Sequence, residues 1–152
     1  MRQVNPFHTN IMIDSCAFDP KYSPESEASE ELLGNNDLSI IVTHSNLKEI
    51  EHPNTPKRVK DLARSRVYTI QQTLTAKEIQ TKSAIHQILT GNGKPEKMAQ
   101  DAEHVFESQK YGGLFVTTDS RILSKRNELQ KVSNAHILKP SELLAAVQNE
   151  SA

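Results

Sequence analysis

Short apolar runs alternate with amphipathic segments along most of the chain. Runs such as Leu114 to Val116 lie between glycine or polar turns, which is typical of the buried strands of a parallel sheet. In the segments between such runs, apolar residues recur at helical spacing, as do Met98, Ala102 and Val105. This alternation predicts a three-layer α/β/α fold with a mostly parallel sheet. At 152 residues the chain is long enough for one well-packed core, and we expect a single domain over residues 1–152.

The predicted elements follow from this pattern and from turn and cap residues. The predicted strands cover 10–14, 38–43, 67–70, 114–119 and 135–138. The predicted helices cover 24–33, 46–51, 56–66, 76–89, 95–110, 120–131 and 141–148. Ser23 is the expected cap of the first helix, and Thr75 with Glu78 predicts a capping box for the helix that starts at 76.

Composition and charge exclude several classes of protein. The longest apolar run, residues 38–42, is too short to span a bilayer, and the first ten residues lack the apolar core of a secretory signal. The single cysteine, Cys16, excludes an internal disulfide, fits a reducing cytoplasm and is expected to be a buried, unreactive thiol. The net charge is −1, so nucleic acid would have to be bound through a local patch or through a metal ion.

The segment from Asp101 to Asp119 predicts that two carboxylates meet at one edge of the sheet. From Asp101 to Lys110 a helix climbs nine steps, on the order of 13 Å at ~1.5 Å per residue. After a glycine turn, a strand returns five steps from Leu114, on the order of 16 Å at ~3.3 Å per residue. Because the two lengths nearly match, the chain returns to its starting level and sets Asp119 beside Asp101.

Two further acids are expected at the same edge. Asp14 ends the first buried strand, and Glu49 lies in the short helix after the second strand. In an open parallel sheet, ligands bind outside the carboxyl ends of the strands, near the point where strand order reverses. Taken singly, Asp119 could be a helix cap and Glu49 a solvated helix residue. Four acids from four segments at one edge are better explained as a site, so Asp14, Glu49, Asp101 and Asp119 are predicted to converge.

The predicted cluster requires a compensating positive charge. Two carboxylates about 4 Å apart repel each other by about 4 kcal/mol at an effective dielectric constant of about 20, whereas the net stability of a domain is only ~5–15 kcal/mol. Either the carboxylates bind protons or a divalent cation neutralises them. Oxygen ligands without histidine or thiolate suit Mg²⁺ or Mn²⁺ and not Zn²⁺. Such an ion can activate water, hold a phosphodiester and stabilise the leaving oxygen, which is the chemistry of a nuclease.

The order of these motifs resembles the PIN-domain family of small metal-dependent ribonucleases, which includes bacterial toxins of the VapC type. The resemblance rests on IMIDS, SNLKEI, DAEHVFESQKYGGLFVTTDSRIL and the closing HILKPSELL. It implies a cytoplasmic endoribonuclease that uses Mg²⁺ or Mn²⁺ to hydrolyse single-stranded or looped RNA. It also implies metal-binding catalytic residues and groups that orient them, namely Asp14, Glu49, Asp101 and Asp119 as ligands, with Ser15 and Thr117 beside them.

Partners are implied by the resemblance and by local charge. A homodimer and, in the toxin branch, an antitoxin protein are family-level expectations. Candidate contacts with RNA phosphates are the basic residues Arg121 and Lys125, and a second group of Lys57, Lys60 and Arg64 that shares one helical face. A solvated helix face is the alternative interpretation of the second group.

Two other functions share parts of this pattern. A phospho-receiver domain is also doubly wound around an acidic pocket, and the Lys-Pro pair at 139–140 resembles that of receivers. Receivers, however, need paired acids after the first strand, whereas Ser15 follows Asp14, and the third predicted strand does not end in an acid. A catalytically inactive PIN-fold binding or regulatory module is the alternative that stays open. The histidines show no ligand spacing and are expected to be surface or packing residues, with only His104 near the predicted site.

Overall fold

The computed structural model describes residues 5–43, 45, 49, 53, 57, 60–61, 67–68 and 73–151. The strands in this part of the chain are Ile11–Ile13 (β1), Ile41–Val42 (β2), Val67–Tyr68 (β3), Leu114–Val116 (β4) and His136–Leu138 (β5). The helices are Glu25–Leu33 (α1), Ala76–Thr90 (α2), Pro95–Tyr111 (α3), Ser120–Ser124 (α4), Arg126–Val132 (α5) and Pro140–Ser151 (α6). None of the helices in these ranges combines the length and apolar character that crossing a bilayer requires.

Every strand pairing among the described residues is parallel. β1 pairs with β4, and β4 pairs with β5. β2 pairs with β3, and an isolated parallel bridge between Ile11 and Ile40 joins this pair to β1. The strand order is therefore β3-β2-β1-β4-β5. The direction of winding reverses between β1 and β4, which is where ligands bind in open parallel sheets.

Helices cover both faces of the sheet, because successive residues of a strand point to opposite sides. Ile11 and Ile13 of β1 pack in one apolar cluster with side chains of α1 and α6. Met12 and Phe115, from β1 and β4, pack in a second cluster with side chains of α2, α3, α4 and α5. The predicted α/β class and parallel sheet are confirmed, and the helices on both faces are compatible with three layers.

A glycine turn between α3 and β4 brings the chain back along its own path. The amides of Gly112 and Gly113 both donate to the carbonyl oxygen of Ser108, at 2.9 and 2.7 Å. A Cβ at Gly112 would lie 2.7 Å from the carbonyl oxygen of Asn10, and Gly113 has φ +138°, so both positions favour glycine. The turn therefore ends α3 and reverses the chain, so that β4 runs back toward the level of Asp101.

The two predicted helix starts have different outcomes. The capping box is confirmed, because Thr75 Oγ1 accepts from the Glu78 amide and Glu78 Oε1 accepts from the Thr75 amide. The expected cap at Ser23 is wrong by one residue, since Pro24 is the cap position of α1 and makes no side-chain cap hydrogen bond. Ser23 Oγ instead donates to the carboxylate of Glu27 at 2.8 Å.

The predicted helix over 120–131 is wrong as a single element. Lys125 has φ −103° and ψ 5°, and it separates α4 from α5. Its amide donates to the carbonyl oxygen of Ile122, which tightens the end of α4. Most of the predicted helices over 46–51 and 56–66 lies outside the described residues, although Glu49, Lys57 and Lys60 are helical where they are described.

Candidate metal centre

Asp14 lies at the carboxyl end of β1, where the winding of the sheet reverses. Its amide donates to the carbonyl oxygen of Val116 at 2.7 Å, so the pairing of β1 with β4 extends one residue beyond the strand. Its side chain is buried, and Oδ2 accepts hydrogen bonds from Thr117 Oγ1 at 2.9 Å and from Cys16 Sγ at 3.3 Å. These two bonds fix the orientation of the carboxylate.

Thr117 links Asp14 to the second strand-end acid, Asp119. Besides donating to Asp14, Thr117 Oγ1 accepts from the Asp119 amide at 3.0 Å. The half-buried Asp119 also caps α4, since its Oδ1 accepts from the Arg121 amide at 2.8 Å and from the Ile122 amide at 3.4 Å. Asp119 is therefore a helix cap as well as a member of the edge cluster, and its cap bonds fix its carboxylate.

Glu49 reaches the same edge from the segment after β2. Its half-buried carboxylate accepts a hydrogen bond at Oε2 from Ser15 Oγ, at 2.8 Å. Ser15 directly follows Asp14, so the strand end that carries one acid also orients another. Each of the two hydroxyl residues singled out in the sequence thus donates to a carboxylate of the cluster.

Asp101 completes the group from the middle of α3. The pKa of the Asp101 carboxyl is raised to about 6, mainly by its burial and then by the negative charges of Asp119 and Asp14, with a smaller contribution from Glu49. The His104 imidazole opposes this shift in the pKa. The Asp101 carboxyl therefore lies within electrostatic range of the three other predicted acids.

His104 is the member of the cluster that the sequence pattern missed. Its side chain is 1% exposed, and Nδ1 lies 3.8 Å from Glu49 Oε2 and 4.0 Å from Asp14 Oδ1. These three side chains offer potential ligand atoms that all lie within 4.8 Å of one another. The structure therefore places a histidine beside the carboxylates, where the sequence analysis expected oxygen ligands alone. The only available signal was the spacing of three residues from Asp101, which places both side chains on one side of a helix.

Cys16 contributes a hydrogen bond and not a nucleophile. Burial, and secondarily the charge of Asp14, raise the pKa of its thiol to about 12, so the thiolate is scarce at neutral pH. The thiol is partly exposed, and it also accepts a hydrogen bond from Thr118 Oγ1 at 3.3 Å. The prediction of an unreactive thiol agrees with this shift.

The basic residues that are candidate RNA contacts differ in their exposure. Arg121 is exposed, and its Nη1 lies 3.7 Å from Met98 Sδ, so its guanidinium reaches α3 one turn before the cluster. Lys125 is half-buried, Lys57 is exposed and Lys60 is half-buried. Arg64 lies outside the described residues.

A cavity of about 560 Å³ lies between α2 and α3. Its walls include Lys82 and His86 of α2, Ala102 and Glu103 of α3, and Ser45. Ala102 and Glu103 lie between Asp101 and His104 in the sequence, so the cavity and the cluster draw on the same stretch of α3. Its volume is in the range that accommodates a small organic ligand, roughly 300–1,000 Å³.

Comparisons of the chain with protein-family models, with curated proteins and with solved structures find no match.

Proposed function

We propose that this chain is a PIN-like, divalent-metal-dependent endoribonuclease that hydrolyses phosphodiester bonds of single-stranded or looped RNA. The observation that carries the proposal is the set of four carboxylates at the carboxyl edge of the paired strands β1 and β4. Asp14, Glu49, Asp101 and Asp119 come from four separate segments, and burial together with the negative charges of the other three opposes the ionisation of Asp101. A bound cation would compensate such a concentration of negative charge.

The donor atoms present fit a divalent cation such as Mg²⁺ or Mn²⁺. Carboxylate oxygens predominate, and two of them, on Asp14 and Glu49, lie within 4.8 Å of each other and of His104 Nδ1. A small contraction of this group would bring the atoms to the separation of ligands on one ion, at most about 4.2 Å for bonds of about 2.1 Å. When bound, the cation would activate water for attack and neutralise charge on the scissile phosphate.

The chain's own side chains would position the reactants. Hydrogen bonds from Thr117 and Cys16 hold the Asp14 carboxylate, and the cap of α4 holds that of Asp119, so both donors are already oriented. Thr117 contacts both acids, which couples their positions. The exposed guanidinium of Arg121, beside α3, is placed to bind a phosphate of the RNA strand.

The choice of RNA as substrate rests on the sequence resemblance. The cavity between α2 and α3 supports it, because Lys82 on one wall offers a donor to a phosphate or a base. The assignment to toxins, with an antitoxin partner and a homodimeric state, rests on the resemblance alone. A toxin would arrest growth on expression, and a co-expressed antitoxin would relieve the arrest.

The inactive binding module is the second candidate, and His104 is the observation that favours it. A protonated imidazole at 3.8 and 4.0 Å from Glu49 and Asp14 would offset part of the negative charge without a metal ion. In that case the cluster would be a buried ion-pair network, and the chain would have no cleavage activity.

Cleavage of a labelled single-stranded RNA with Mg²⁺ or Mn²⁺ separates the two candidates. We would compare the wild type with Asp14→Asn and Asp119→Asn, since asparagine caps a helix about as well as aspartate and so preserves α4. Asp19→Asn is the matched control, because Asp19 caps a short helical turn by accepting from the Lys21 amide and lies outside the cluster.

The expected result is metal-dependent cleavage by the wild type and by Asp19→Asn, and none by the other two variants. If all four proteins are inert on several RNAs, the binding module replaces the nuclease. If all four cleave equally, the activity comes from a contaminant and the site loses its support.

A further inference from the structure

We infer that His104 is a nitrogen ligand of the bound ion, so that the site selects a first-row transition ion such as Mn²⁺ over Mg²⁺. The inference rests on the proposed metal site, and it adds a ligand and a metal preference that the four carboxylates alone do not imply. Four observations support it: the position of His104 on α3, its burial without a hydrogen bond, its distances to the acids and the chemistry of imidazole.

The position of His104 on α3 directs it into the cluster. Asp101 and His104 are separated by three residues on α3, so their side chains project from the same side of the helix. The influence of the His104 imidazole on the Asp101 carboxyl shows that the two groups are close. A carboxylate and a histidine at this spacing are a recurrent pair of metal ligands on helices.

Burial of His104 has no explanation in ordinary hydrogen bonding. Buried polar side chains are nearly always hydrogen-bonded, yet the Nε2 atom of this imidazole has no partner among the described residues. Nδ1 is beyond hydrogen-bond distance of the two carboxylates that it faces. Nδ1, which faces the two carboxylates, is therefore the ring nitrogen that an ion at this edge would bind, and Nε2 would keep no partner among the described residues.

The distances around Nδ1 fit a shared ion better than a direct contact. Two ligands of one ion with bonds of about 2.1 Å lie roughly 3.0 Å apart at a right angle and about 4.2 Å apart when they are opposite. Nδ1 lies 3.8 Å from Glu49 Oε2 and 4.0 Å from Asp14 Oδ1, within this interval. After the small contraction of the group described above, an ion between the three atoms would bind all of them.

The mixed donor set determines which ion is preferred. Mg²⁺ strongly favours oxygen ligands and gives up its water reluctantly, so an imidazole adds little to its binding. Imidazole suits first-row transition ions, and Mn²⁺ also accepts carboxylates. His104 should therefore raise the affinity for Mn²⁺ while leaving the affinity for Mg²⁺ nearly unchanged.

The test is pulsed EPR on the Mn²⁺-loaded wild type without an affinity tag, combined with calorimetric titration of Mn²⁺ and Mg²⁺. The variant is His104→Gln, and the control is His136→Gln, because His136 starts β5 at the opposite edge of the sheet and contacts Gln130. Circular dichroism checks that each variant is folded.

We expect ¹⁴N modulation from a directly bound imidazole in the wild type and in His136→Gln, and none in His104→Gln. The affinity of His104→Gln for Mn²⁺ should fall about tenfold or more, and its affinity for Mg²⁺ by less than about twofold. Mn²⁺ bound without ¹⁴N modulation, or an unchanged ratio of the two affinities, overturns the inference and leaves the carboxylate site standing.

If neither ion binds the wild type more tightly than it binds Asp14→Asn, the metal site itself fails, and this inference fails with it. If His104→Gln does not fold, the wild-type spectrum alone decides, because the ¹⁴N modulation needs no variant. An imidazolium that only balances charge gives no modulation and a higher affinity for both ions on removal, which also counts against the inference.

Discussion

Acidic side chains on the helix surfaces and those at the carboxyl edge of the sheet occupy opposite electrostatic environments. On the surface, Glu78 Oε2 lies 2.7 Å from Lys110 Nζ, and Glu142 Oε1 lies 2.9 Å from Arg126 Nη1. The hydrogen bond from Lys110 holds the pKa of Glu78 below its ordinary value. Partial burial would raise the pKa of Glu142, but hydrogen bonds from the Lys139 amide and from Arg126 outweigh it and lower the pKa.

At the edge of the sheet, acids face other acids. The pKa of Asp101 is raised to about 6 by burial and by the charges of Asp119 and Asp14, which is the reverse of the shift at the surface. The surface pairs favour the folded state weakly, whereas the edge cluster opposes it. Titratable groups with strongly perturbed pKa values cluster at functional sites, which is why this edge is the candidate site.

The largest expected difference between the two groups of acids is in activity, which should depend on an acid at the edge of the sheet and not on one at the surface. Asp101→Asn should lower metal-dependent RNA cleavage by about 100-fold or more, because it removes one charged group from a preorganised site. Glu142→Gln, the same type of change at a surface pair, should leave the rate within about twofold. Initial rates at saturating Mn²⁺ measure both, and equal rates for the two variants would contradict the proposed division of roles.

The hydroxyl that joins Asp14 to Asp119 should matter next. Thr117→Val removes the donor to Asp14 Oδ2 and the acceptor of the Asp119 amide in a buried position, which should lower the free energy of unfolding by about 1–3 kcal/mol. The control is Thr118→Val, since Thr118 contacts only the weak acceptor Cys16 Sγ in this network. Urea unfolding gives both values. Equal losses for the two variants would show that the Thr117 hydroxyl contributes no more to stability than the Thr118 hydroxyl does.

A smaller effect follows from the titration of Asp101 in protein without metal. The Asp101 carboxyl has a pKa of about 6 in the folded state and an ordinary value of 3.8, so the folded state binds more protons between these two values. The free energy of unfolding therefore falls as the pH rises from about 4 through about 6. Asp101→Asn should remove this fall and stabilise the protein at pH 7.5 by about 1 kcal/mol, allowing for solvent screening of a half-exposed group.

Thermal unfolding in EDTA at pH 4 and pH 7.5 measures this difference. The gain in melting temperature for Asp101→Asn should appear at the higher pH and disappear at the lower one. A gain of the same size at both would mean that the substitution acts through packing and not through charge. A lower melting temperature of Asp101→Asn at pH 7.5 would show that groups of the protein itself already neutralise the charge of Asp101.

The smallest effect is expected at a surface pair. Glu142→Gln should lower the free energy of unfolding at neutral pH by less than about 1 kcal/mol, because the pair is largely solvated and screened. The pKa of Glu142 is lowered in the folded state, so this contribution is present at neutral pH and disappears in acid. Unfolding curves at low and at high salt measure it, and a loss that salt does not reduce would argue against an ion pair.

Much of the architecture follows from the sequence because strands and helices have fixed rises per residue. The matched lengths of α3 and β4 were enough to predict that Asp101 returns to Asp119, and the apolar runs were enough to predict the parallel sheet. The break at Lys125 and the shifted start of α1 were missed, since both depend on local hydrogen bonds that helical periodicity does not contain.

The role of His104 was missed for a different reason. Its neighbours Asp14 and Glu49 are distant in the sequence and are brought to it only by the folding of the sheet. The four acids could be predicted because each ends or follows an element with a recognisable pattern. A single histidine on an amphipathic helix carries no such mark, since the same residue at the same spacing serves equally well in packing.

The glycine turn after α3 has a consequence for the order of folding. It closes a short loop, so the half of the cluster formed by Asp101 and Asp119 requires little loss of chain entropy. The pairing of β1 with β4 joins segments that are far apart in the sequence, and such contacts form slowly. In pulse-labelled refolding we expect the Gly112 amide to gain protection before the Asp14 amide, and simultaneous protection would contradict this order. In the expected order, Asp14 is the last of the strand-end acids to reach its place. Repulsion between Asp14 and the other acids therefore begins only when β1 pairs with β4.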